Sequence, residues 1–134
     1  MKTIFVLFFG LFLLGCSKEG EVYIQDQKIL DTPIKCMRLV VFPPNKEFET
    51  TLRSLYSFEQ NCSYELVLSY KTGIVCNSNQ NYAKKTAGLP SGYIRMEIKQ
   101  EGHLAYTYYK DLKKTLDDEE LLIGFKRIQE DLKL

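Results

Sequence analysis

"YIRMEIKQEGHLAYTYYKDL", residues 93–112, decides how the rest of this chain is read. Ile94, Met96 and Ile98 alternate with Arg95, Glu97 and Lys99. Gln100-Glu101-Gly102-His103 then supplies a turn, and an aromatic stretch returns. A period of two on both sides of a glycine-containing turn predicts a β-hairpin with one buried face. Alternation places Tyr106 and Tyr108 on one face of the returning strand and Tyr109 on the other, with Tyr93 on the partner strand. Tyrosine combines an apolar ring with a hydroxyl that stays wet, which suits protein contacts. Tyr93, Tyr106, Tyr108 and Tyr109 are therefore candidate interface residues.

Working towards the N-terminus, "CSYELVLSY" (62–70) alternates Tyr64, Leu66, Leu68 and Tyr70 against Ser63, Glu65 and Ser69. It reads as a half-buried strand, interrupted on its outer face by Val67, with Lys71-Thr72-Gly73 as a turn into "IVC". Before it, Phe48, Leu52, Leu55 and Tyr56 recur at helical spacing. Asn45 is the expected N-cap, and the helix should end near Phe58. "IKCMRLVVF" (34–42) reads as a strand stopped by Pro43-Pro44, and "EVYIQDQKIL" (21–30) as a strand or small hairpin.

Towards the C-terminus, Leu121, Phe125, Ile128 and Leu132 form an apolar stripe widened by Leu122. Thr115 or Asp117 can cap this helix, with Asp118 or Glu120 as box partner, and the acidic first turn suits the helix dipole. Gly124 inside it points to close helix–sheet packing. The elements predict an α+β fold: an antiparallel β-meander with one helix after the first core strand and a C-terminal amphipathic helix packed on the sheet. Asn77 to Gly92, rich in Asn, Ser, Gly and Lys, is the longest loop candidate. Lys84 and Lys85 within it are candidate contacts for phosphate or carboxylate groups.

The first residues carry a different signal. Lys2 precedes a nearly continuous apolar stretch from Ile4 to Leu14, too short to span a bilayer, which needs roughly 20 residues. Leu13-Leu14-Gly15-Cys16 closes it and resembles the lipobox of bacterial lipoproteins. That resemblance implies a signal peptide over residues 1–15 and lipidation of Cys16, with cleavage just before the cysteine. Leu14 departs from the smaller or β-branched residue usual there, which implies slow processing. Ser17, where an aspartate would favour inner-membrane retention, implies the periplasmic face of the outer membrane. Residues 16–21 are then a short lipidated tether and 22–134 a single domain. Five residues reach at most about 17 Å, so the domain should sit close to the membrane. The element order loosely resembles that of the lipoprotein of the lipopolysaccharide-export translocon, and of auxiliary lipoproteins of envelope transporters, by topology alone.

Without Lys2 the basic side chains equal the 17 acidic ones, so no electrostatic footprint for nucleic acid exists. Cys36, Cys62 and Cys76 remain after the lipobox. Any pairing is open, with Cys62–Cys76 favoured and Cys36 read as a small buried hydrophobe in its apolar run. His103 is the only histidine and no Cys-x-x-Cys spacing occurs, so neither a metal site nor a cofactor is expected. A solvated histidine at a turn supplies no base for a nucleophile, and helix capping accounts for Asp117-Asp118-Glu119-Glu120. Gly73, Gly88, Gly92 and Gly102 are isolated turn residues, not a phosphate loop, and "LPSGY" (89–93) is turn chemistry. The expectation is a non-catalytic, lipid-anchored periplasmic protein serving as an accessory subunit of a cell-envelope complex. The alternative is a small binding module for a soluble ligand or a periplasmic enzyme inhibitor. Its oligomeric state is open on this reading.

Overall fold

In the computed structural model, which describes residues 20–73 and 92–134, the hairpin of residues 93–112 lies inside a five-stranded sheet. The leader with Cys16, and Cys76, Lys84, Lys85 and the loop up to Ser91, lie outside the described residues. The strands are β1 (Glu21–Ile24), β2 (Met37–Phe42), β3 (Tyr64–Lys71), β4 (Gly92–Gln100) and β5 (His103–Leu112). Helices α1 (Lys46–Leu55) and α2 (Asp118–Leu132) complete the α+β fold, with a 3-10 turn over Gln27–Leu30. The spatial order of the strands is β1-β5-β4-β3-β2.

The expected all-antiparallel meander is corrected at one seam. β3, β4, β5 and β1 pair antiparallel, but β2 pairs parallel to β3, with Met37 opposite Tyr64 and Val41 opposite Leu68. The reason is the connection: α1 carries the chain back to the starting end of β2, so β3 can only run in the same direction. Of the two readings of residues 21–30, the strand holds and the hairpin does not: they form one strand followed by a 3-10 turn. Both Gln25 and Asp26 donate their backbone N–H to the Ala105 carbonyl, and the Asp26 side chain accepts from Lys28 N–H at 3.0 Å. Those bonds end the strand and leave no second arm for a hairpin.

The β4–β5 turn follows its sequence. Glu101 (φ 49°) and Gly102 (φ 81°) both occupy the left-handed region, as a two-residue type I′ turn demands. Glu101 N–H also donates to the Ser63 carbonyl at 2.9 Å, fixing the turn against the start of β3.

Both helices lie on one face of the sheet. Leu66, Leu68, Ile94, Met96, Ile98 and Tyr106 are fully buried against Leu52 of α1 and Leu121, Phe125 and Ile128 of α2. Each such side chain contributes about 1.5–3 kcal/mol of transfer free energy. Asn45 caps α1 by accepting from Glu47 and Phe48 N–H, and the helix stops at Leu55, one turn short of Phe58. Asp117 caps α2 by accepting from Glu120 N–H at 3.0 Å. Glu120 does not reach back to complete the box. Its carboxylate accepts from Lys110 Nζ at 2.7 Å instead, joining α2 to β5 through a largely buried ion pair.

Gly124 explains how α2 approaches so closely. A Cβ there would lie 2.8 Å from Cε1 of Tyr108. That ring has no room to withdraw, because a Cβ on Gly20 would lie 2.5 Å from its Cζ.

The disulfide is Cys36–Cys62, correcting both the favoured Cys62–Cys76 pairing and the reading of Cys36 as a free core thiol. Cys36 ends just before β2 and Cys62 just before β3, at the same end of two parallel neighbours, so their Cα atoms are 5.8 Å apart. Closing a loop of sequence separation 26 stabilises by about 3.5 kcal/mol in the chain-entropy description.

Candidate functional site: the open face of the sheet

One face of the sheet carries both helices, so the other is free of them. The register places its side chains in rows across the strands. One row runs Phe42, Ser69, Arg95, Tyr109 and Glu21, and its neighbour runs Val40, Val67, Glu97, Thr107 and Tyr23. A shorter row of Lys71, Tyr93 and Asp111 lies beside the first.

Tyrosines and an arginine form the centre of this surface. The rings of Tyr93 and Tyr109 stack with centroids 5.7 Å apart and planes 25° from parallel. Arg95 Cζ lies 5.8 Å from the Tyr93 ring centroid, within cation–π range, and its Nε is 3.0 Å from Glu97 Oε1. Tyr109 Oη donates to Asp111 Oδ1 at 2.8 Å, and Tyr23 donates to Glu21. Each of these bonds stabilises the neutral phenol beside a carboxylate and raises the pKa of its tyrosine. Tyr23 is 52% exposed, and Phe42 at the far edge is 66% exposed.

The four candidate tyrosines separate cleanly. Tyr93 and Tyr109 share the open face. Tyr106 and Tyr108, also expected as contact residues, are buried beneath α2 and belong to the core. Tyr106 Oη donates to Asp131 Oδ2 at 2.7 Å, and burial first, then that bond, pushes its pKa far above the ordinary value. Residue-by-residue reading missed Tyr23, Val40, Phe42 and Arg95. The signals were present as alternation in "EVYI" and in the run "LVVF", but neither string shows which edge of which sheet it occupies.

A concavity lies beside α2, with a volume of about 400 Å³, lined by Tyr108, Ile123, Lys126, Arg127, Glu130 and Asp131. Arg127 Nε spends its donor on Asp131 at 3.0–3.1 Å, so part of that charge is neutralised within the wall. Among the described residues one group has metal-ligand spacing, namely Cys36, Glu59 and Cys62. Its two sulfurs are bonded to each other and offer no thiolate to an ion. His103 is exposed at the hairpin turn. Among the described residues no helix is long and apolar enough to cross a membrane.

No protein-family model, curated protein or solved structure matches this chain.

Proposed function

We propose that this chain is a non-catalytic, lipid-anchored subunit of the bacterial cell envelope, held at the periplasmic face of the outer membrane, which docks an envelope protein on its open sheet face. The observation that carries this reading is the tyrosine–arginine surface of Tyr23, Tyr93, Tyr109 and Arg95 on a face that, among the described residues, no helix covers. Tyrosine and arginine are the residue types that dominate binding energy at protein interfaces.

The tether supports it. Glu21 is the register partner of Tyr109, and only four residues, Ser17 to Gly20, separate Glu21 from Cys16. Extended, that stretch spans at most about 17 Å, so a lipid on Cys16 would keep the tyrosine surface near the bilayer. A membrane-embedded or membrane-bound partner is then within reach.

The test is photo-crosslinking in living cells from position 109, with Thr50 on the helical side as control. The expected result is a reproducible set of subunits from one envelope assembly, captured from 109 and not from 50. Capture of the same bulk membrane proteins from both positions would overturn the reading. Replacing Cys16 by Ala should release the protein from the membrane fraction and abolish the capture.

The concavity beside α2 favours a second reading, a small binding module for a soluble ligand. Its mixed lining of Lys126, Arg127, Glu130 and Asp131 selects no single charge. It becomes the better reading if Lys126→Glu abolishes function while Tyr109→Ser leaves it intact.

A further inference from the structure

The outer edge of β2 is partly closed at both ends and open in the middle. At its start, Glu59 N–H donates to the Met37 carbonyl at 2.9 Å from the side away from β3. Backbone groups of a strand alternate in direction, so the N–H and C=O of Leu39 and Val41 point the same way as that carbonyl. Among the described residues none bonds to them. The next position in this series is Pro43, which has no N–H, and its carbonyl accepts from Tyr70 Oη at 3.1 Å. Among the described residues five backbone groups are thus left without a partner along this edge: both groups of Leu39, both of Val41, and the N–H of Met37.

An open edge of this kind is a template for another strand. The opposite edge differs. β1 has four residues, carries Glu21, and is followed by a turn bonded back to Ala105.

We infer that β2 pairs antiparallel with β2 of a second copy, with Val40 on the two-fold axis. In that register Leu39 faces Val41 of the second copy and Val41 faces its Leu39, as two hydrogen-bonded pairs that satisfy all four groups of Leu39 and Val41 on each side. Met37 then falls opposite Pro43, where the open Met37 N–H faces the second lone pair of the Pro43 carbonyl, while the Met37 carbonyl, already paired with Glu59, faces a nitrogen with no N–H. Sliding the register by two residues either way spoils this. One direction places Val41 opposite Met37, whose carbonyl is already taken by Glu59, and the other places Leu39 opposite the N–H-less Pro43.

Side chains agree with the backbone. Val40 and Phe42, 37% and 66% exposed, lie on the open face with Arg38. Val40 meets its own copy, and Arg38 meets Phe42, a cation against an aromatic ring, twice by symmetry. No like charges oppose each other. An arrangement in which one patch complements itself is the signature of a two-fold dimer, and it extends the five strands into a ten-strand sheet. The tyrosine surface around Tyr109 lies across β3 and β4 from this edge and stays free, so the inference is independent of the docking reading.

The test is disulfide trapping in the full-length chain. Val40→Cys places two thiols opposite each other at a non-hydrogen-bonded pair, where Cα atoms are about 4.5 Å apart. Tyr23→Cys, exposed on the same face at the other edge, reports random collision. Under mild oxidation Val40→Cys should form a covalent dimer at least about ten-fold faster than Tyr23→Cys, because dimerisation raises the effective thiol concentration. Peptide mapping should show position 40 joined to position 40. Equal rates, no dimer, or trapping of a different protein at position 40 would overturn the inference. Val40→Lys, which sets two ammonium groups face to face, should turn the dimer seen by light scattering into monomer with unchanged circular dichroism. Light scattering that shows the unsubstituted chain to be monomeric at tens of micromolar, with no trapping, would also overturn it.

Discussion

The two faces of one sheet carry opposite chemistry on the same backbone. Along β4, Ile94, Met96 and Ile98 are fully buried, while Tyr93, Arg95, Glu97 and Lys99 between them remain partly exposed. Along β5, Tyr108 is locked between Gly20 and Gly124, and its neighbour Tyr109 stacks on Tyr93 in the open. The same residue type is a packing element on one side and, on the docking function proposed above, a recognition element on the other. Exposure decides which, and a one-residue register slip would exchange the two sets completely.

The comparison breaks most visibly on the covered face. Leu68→Ala, at a fully buried position in β3, should cost about 2–5 kcal/mol through lost transfer energy and an unfilled cavity. Urea unfolding followed by circular dichroism reads this as a lowered midpoint with an unchanged slope. Gly124→Ala gains about 1 kcal/mol of helix propensity. It also drives a methyl against a Tyr108 ring that cannot retreat, and such overpacking costs about 1–3 kcal/mol. The net effect should be destabilising, and the same unfolding curve measures it. A stabilised Gly124→Ala protein would show that α2 and β5 are less tightly packed than their geometry indicates.

On the open face Tyr109→Ser should cost only about 1 kcal/mol, the value of one aromatic pair, while partner capture from that face is lost. A loss as large as that of Leu68→Ala would mean that Tyr109 is structural.

The smallest effect separates the faces by pH. Tyr106 and Tyr109 are both raised above the ordinary value of 10.0, Tyr106 by burial first and Tyr109 by its bond to Asp111 first. The folded chain therefore holds these protons after the unfolded chain has released them. Stability is unaffected below about pH 10 and falls as pH rises beyond it. Tyr106→Phe should weaken that alkaline loss more than Tyr109→Phe does. Absorbance titration of the phenolates, alongside unfolding curves at pH 9 and 11, checks the order.

Much of this could be read along the chain, and the legible parts share a short range. The alternation of 94, 96 and 98, the turn at Glu101-Gly102, the caps at Asn45 and Asp117, and the small residue at 124 each depend on neighbours within a few positions. Local sterics and hydrogen bonding fix them wherever the segment ends up. The candidate site was half legible for the same reason. Alternation separated Tyr109 from Tyr106 and Tyr108, but it did not say which group would face solvent. "LVVF" illustrates the limit. A continuous apolar run usually marks a strand buried on both faces, yet here it forms an edge, with Leu39 and Val41 packed against the core and Val40 and Phe42 left in the open.

What the sequence determined by itself is the identity and amphipathicity of each element, because periodicity and capping are encoded within single segments. Tertiary structure alone decided that β2 runs parallel to β3, that Cys36 and not Cys76 bonds to Cys62, and that β2 and β1 form the two edges. Those outcomes depend on which distant segments bury one another most completely. Such a choice is made by the whole core at once, and no window of a few residues contains it.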